Sequence, residues 1–166
     1  MKAGLWALVL IGCPAAEPPG AEVPCGAELA VGTGTIRFQA LSEGDDLEFV
    51  HGPQGGYHLP LAVRTCRIED PGMVRLVATL AATGEVVSEV LLSRAWTADG
   101  DCCAVLLDVT GYLTAPRADT GVYANYEPFD PAMIDGQHLV IDLEVTDGEG
   151  GLHASSLAIQ ARRPPA

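Results

Sequence analysis

Four histidines, five cysteines and several acidic turns are the residues of this chain equipped to do chemistry. His51 and His58 flank the Gly-rich segment His51-Gly-Pro-Gln-Gly-Gly-Tyr-His58. Two imidazoles with a nearby carboxylate are a donor set for Cu(II) or Zn(II). The same stretch has a purely structural reading: Gly52, Gly55 and Gly56 let the backbone bend, and Gln54 and His58 hydrogen-bond the bent chain. His138 and His153 fall on a later hairpin, at opposite ends of it, so the four histidines do not make one centre. Asp99-Gly-Asp101 and Asp147-Gly-Glu149 are acidic turns with oxygen ligands for Ca²⁺. Neither has the spacing of an EF-hand loop, and short acidic turns are ordinarily just solvated.

No GxSxG, HExxH, GxxxxGK[ST] or GxGxxG segment occurs, so the common hydrolase, metalloprotease and nucleotide-binding signatures are missing. The chain reads as a non-enzyme with no cofactor. Its alternative reading is a copper- or zinc-binding protein that uses His51 and His58. Apart from Cys13 the cysteines are Cys25, Cys66, Cys102 and Cys103, an even number that points to two disulfides in an exported protein. Of the three pairings, the one that joins the neighbours Cys102 and Cys103 is strained. Counting strands as a simple meander brings Cys66 and the Cys102-Cys103 pair to one end of the fold. One of the pair is then expected to bridge to Cys66 and the other to Cys25. Adjacent strand residues point to opposite faces, which suits two different partners.

Composition narrows the function classes. The chain is 48% hydrophobic, enough for a folded core, and carries nine basic against 22 acidic residues, a net charge of −13. Such a surface repels a phosphate backbone, and no basic stripe offsets it, so nucleic acid is excluded as a partner.

The amino terminus supplies the most specific signal. Met1-Lys2 gives a positive start, Ala3 to Ile11 is apolar, and the stretch closes in Leu10-Ile11-Gly12-Cys13. The apolar run is too short to span a bilayer but fits the core of a signal peptide. The closing four residues resemble the lipobox of bacterial lipoproteins: an aliphatic residue, two permissive positions and a cysteine. That resemblance covers about thirteen residues. It implies that the peptide is cut before Cys13, that the thiol carries diacylglycerol, and that the protein is held on a membrane of the cell envelope. Pro14 rather than Asp follows the cysteine, which by analogy implies the outer membrane. A cut after Ala16 by an ordinary signal peptidase would put Pro14 where a small residue is needed. From Pro14 to Pro24 the chain has four prolines in eleven residues and is expected to form an extended spacer. The organisation read from sequence is a signal peptide at 1–12, a lipidated tether at 13–30 and a folded domain at 31–163.

The elements that must position these residues are strands. Period-two alternation between turn residues dominates beyond residue 30. Leu139, Ile141, Leu143 and Val145 share one face, as do Val74, Leu76, Ala78 and Leu80, and Tyr57, Leu59, Leu61 and Val63. Cys103, Val105, Leu107 and Val109 are read as a further such set. Val86 to Leu92 is apolar on both faces apart from Ser88 and Glu89, as in a central strand. Shorter candidates are 35–40, 46–50 and 152–160. Seven or eight short strands with no long helical period predict an all-β antiparallel sandwich. The final strand-turn-strand resembles the last hairpin of bacterial immunoglobulin-like domains, which implies a fold and no activity. The long connection 113–137 carries Tyr123, Tyr126 and Phe129, which either form a recognition surface or pack across the open end of the sandwich. Any surface for an envelope protein partner is expected at the 51–58 bend or on this loop, not on the strand faces.

Overall fold

The computed structural model describes residues 28–53, 55–115 and 129–164. Its strands are β1 (Glu28–Thr33), β2 (Gln39–Ala40), β3 (Asp46–Glu48), β4 (Val50–His51), β5 (Tyr57–Cys66), β6 (Val74–Leu80), β7 (Val86–Leu92), β8 (Thr97–Ala98), β9 (Cys103–Tyr112), β10 (His138–Thr146) and β11 (Leu152–Arg162). Seven of these have six residues or more. β1 takes in Glu28 to Ala30, which the sequence reading placed with the tether.

The strands form two sheets, β2-β1-β5-β9-β8 with β4 also on β5, and β3-β11-β10-β6-β7. Among the described residues β3 with β11 is the one parallel pair. The sheets face each other as an all-β sandwich, and their inward side chains make one core. The strongest alternation lies at its centre. Leu139, Ile141, Leu143 and Val145 of β10 are fully buried, and Val74, Leu76 and Ala78 on the adjacent β6 meet them.

Three strands depart from their sequence pattern. β9 pairs regularly with β5 from Cys66↔Cys103 to Val63↔Leu106, then shifts register so that Leu61 faces Val109. The extra residue on β9 goes with Asp108 in the left-handed region, φ 54°, a β-bulge. The shift changes the phase of the strand, so Leu106 and Val109 enter the core while Cys103 and Val105 face outward. β7 lies at the edge of its sheet, not at the centre. Only its start, Val86 to Ser88, is buried on both faces: a bulge opposite Ala78/Thr79 turns Val87 inward, and Thr114 N donates to Val87 O across the edge, 2.8 Å. The 35–40 candidate shrinks to Gln39–Ala40.

The reason lies in a crossing. β1 and β9 flank β5 on opposite sides, yet Asp108 N donates to Gly34 O, 3.2 Å. The chain after β1 must therefore pass over the outward face of β5. Ala62, small and fully buried, is where it passes, opposite the β9 bulge. The Phe38 ring seals the crossing against Gly32, where a Cβ would lie 2.5 Å from the ring.

Candidate functional site

Three places in the sandwich gather polar or exposed groups: its two ends, and the outward face of the five-stranded sheet. At the first end, β4 and the start of β5 pair with His51 opposite Tyr57 and Val50 opposite His58. Opposed residues of an antiparallel pair share a face, and successive residues alternate. His51 lies with Tyr57, ring centroids 5.0 Å apart, while His58 lies on the other face with Tyr112, 6.3 Å away. The register thus separates the two imidazoles onto opposite faces and does not bring them to one ion. Among the described residues no three His, Cys, Asp or Glu side chains converge on a common point. The glycines act as backbone. Gly55 and Gly56 have φ 82° and 79°, and Gly52 N donates to Gly56 O to close the bend.

Tyr57 is the hub of this end. Its ring meets Phe49 edge-on at 5.7 Å and Phe129 at 6.1 Å. The Gly-rich bend and the end of the long connection therefore meet at one place. Phe129 packs against the core, the role of a cap. Gln54, Tyr123 and Tyr126 lie outside the described residues.

At the opposite end, Cys66 and Cys103 are cross-strand partners of β5 and β9 and form a disulfide, S–S 2.07 Å. They meet because β5 and β9 are antiparallel neighbours in one sheet, while β6 and β7 belong to the other. A meander of successive strands does not describe this end. Cys102 is also disulfide-bonded; Cys13 and Cys25 lie outside the described residues. Arg64 links this region together, with Nη2 donating to Cys103 Sγ at 3.4 Å and Nε 3.0 Å from Asp99. Asp99 is therefore engaged by a guanidinium.

Asp147 is engaged too. Its Oδ1 accepts from Glu149 N and Gly151 N at 3.0 and 2.6 Å, and its Oδ2 is 2.9 Å from His153 Nε2. These contacts, His153 first, hold the carboxyl below its ordinary pKa. A carboxylate with a depressed folded pKa stabilises the fold above its unfolded value, about pH 3.9, and that stability disappears as pH falls through the folded value. Asp147→Asn keeps the acceptor oxygen but removes the charge. The stability difference between wild type and this variant should be present above about pH 4 and vanish below it. Denaturant melts from pH 6 to pH 2 measure this, and a difference that persists at pH 2 would assign the effect to something other than charge.

The third place is the outward face of the five-stranded sheet. The residues of β6 and β10 that alternate with the core set point away from it: Arg75, Val77 and Thr79, and Asp142 and Glu144. Together with Ser156 of β11 they line an open groove of about 650 Å³. Arg75 lies 3.1 Å from Glu89 and 3.2 Å from Glu144. Burial alone would lower its pKa, but the two carboxylates outweigh that and raise it. Val77 is 6% exposed although it faces outward, so the floor of the groove is apolar. Met73, Leu91 and Leu152, on the same face toward the disulfide end, are 49, 46 and 66% exposed. From the sequence the strand faces are expected to carry no interaction surface, their outward residues being mostly short or charged. The available signal was that the positions alternating with the core set are often apolar or small, as at Met73, Val77, Ala154 and Ala158, where a solvated strand carries charge.

Compared with protein-family models, curated proteins and solved structures, the chain matches none.

Proposed function

We propose that this protein is a lipid-anchored module of the bacterial cell envelope, non-enzymatic and built to bind or to support another component. The observation that carries the reading is Leu10-Ile11-Gly12-Cys13, closing an apolar run behind Lys2 and followed by a Pro-rich spacer. The strand order agrees with an immunoglobulin-like sandwich. β1-β5-β9-β8 corresponds to strands A, B, E and D, and β11-β10-β6-β7 to G, F, C and C′. The departure is the disulfide, which joins B to E within one sheet instead of bridging the sheets.

Under this reading the tether enters at the disulfide end, because Glu28 at the start of β1 is paired with Cys66. The Tyr57 end is then held about 30 Å further from the membrane, ten residues of β5 at roughly 3.3 Å each. Two or three acyl chains at ~0.8 kcal/mol per buried CH₂ keep such a protein on its membrane permanently. Mass spectrometry of protein isolated from the envelope should find acylated Cys13 as the first residue. Cys13→Ala should move the protein from the membrane fraction to the soluble one or stall it before cleavage. A membrane-bound product that begins at Glu17 would sink the proposal.

A further inference from the structure

The outward face of the β3-β11-β10-β6-β7 sheet is covered by no described element, and its chemistry is unlike that of a solvated strand face. Its middle is an apolar floor at Val77, and its disulfide-proximal part carries the exposed Met73, Leu91 and Leu152. Met73 and Leu152 flank Thr146, and Leu91 lies opposite Arg75, so exposed apolar side chains alternate with polar ones across this part of the face. The charges on the face are unbalanced. Among the described residues the face carries two arginines, Arg75 between Glu89 and Glu144 and Arg162 beside Asp46, against the carboxylates Asp46, Glu89, Asp142 and Glu144. Asp142, whose cross-strand neighbours are Val77 and Ser156, has no ion-pair partner among the described residues.

We propose that this face docks a cationic polypeptide segment with interspersed apolar side chains. Its apolar residues would cover Val77, Met73 and Leu152, and a Lys or Arg would meet Asp142. Two magnitudes favour that occupant. Four strands about 4.8 Å apart and at least seven residues long present on the order of 450 Å², enough for a short segment and little more than half of the ~800 Å² each partner gives to a stable interface between globular proteins. A second copy would also bring an excess of carboxylates against an equal excess, which costs affinity, whereas a basic segment is drawn in by the charge of the face and of the whole chain, −13.

The proposal rests on the reading of the chain as a binding module and not on its anchor, so it is tested without a membrane. The probe is an eight-residue peptide of alternating Lys and Leu, titrated into the ¹⁵N-labelled full chain in non-ionic detergent. Amide shifts should be confined to β6, β10 and β11. Asp142→Lys should weaken binding about tenfold, and so should replacing the Leu residues of the peptide with Ser. Asp101→Lys makes the same change in net charge at an exposed turn of the other sheet, and should change affinity less than about twofold. Equal weakening by both charge reversals would reduce the effect to diffuse electrostatics and overturn the proposal. Shifts centred on the His51–His58 bend would overturn it, as would self-association of the free protein through these strands. Any of these with acylated Cys13 intact would leave the anchored module standing without this surface.

Discussion

Phe49→Ala should cost about 3 to 5 kcal/mol of folding stability, the usual range for deleting a buried aromatic. Phe49 has no exposed surface and is the residue at which the chain changes sheets. Before it, β3 pairs with β11 in the five-stranded sheet; after it, β4 pairs with β5 in the other. Its own N–H donates to Arg162 O, 3.0 Å, and its ring meets Tyr57 edge-on. The substitution removes core volume and an aromatic pair worth a further ~0.5 to 1.5 kcal/mol. It does so where neighbouring strands cannot close the gap without giving up pairing in one sheet. Chemical denaturation reads the loss directly. A domain of ordinary stability has only about 5 to 15 kcal/mol to lose, so Phe49→Leu provides a milder companion, expected to be destabilised by much less. A loss under about 1 kcal/mol for Phe49→Ala would mean that the sheet crossing does not depend on this ring.

Replacing both Cys66 and Cys103 with Ser should cost about 4 kcal/mol. Their separation of 37 residues closes a loop whose chain entropy the unfolded state regains when the link is cut. The double variant is the informative one, because a single substitution leaves a thiol beside Cys102, free to exchange. The native side should change little, since eight residue pairs of β5 and β9 stay in register without the bridge. Most of the effect therefore belongs to the unfolded chain. The expected signature is a large drop in denaturation midpoint with a folded-state spectrum close to wild type. A folded state with β5 and β9 separated would show instead that the disulfide holds the ladder together.

Much of this architecture is legible residue by residue. Leu139 to Val145 and Val74 to Leu80 alternate so regularly that their inward faces follow from sequence, because in a strand the period of side-chain direction is two whatever the partner. The turns are legible for a similar reason. Asp147 accepts from Glu149 N and Gly151 N, and Gly150 takes φ 87°, none of which needs a distant residue. The meeting of the Gly-rich bend with Phe129 follows less directly, since it takes the fold to bring both to Tyr57. The His51–His58 pair shows the limit. Their nearness in sequence is real, but one register of β4 on β5 sends them to opposite faces.

By itself the sequence determined most of the long strands, the turns and the acidic surface, all of which depend on a residue and its neighbours; β1 was in none of its strand candidates. The tertiary structure decided which strands meet. It put β7 at an edge, shifted the phase of β9 at Asp108 to suit the chain crossing Ala62, moved the chain between sheets at Phe49 and chose Cys103 for Cys66. It also left the Asp142 face uncovered by any described element. Bulges, crossings and open faces depend on contacts between residues far apart in the chain, and local alternation carries no record of them.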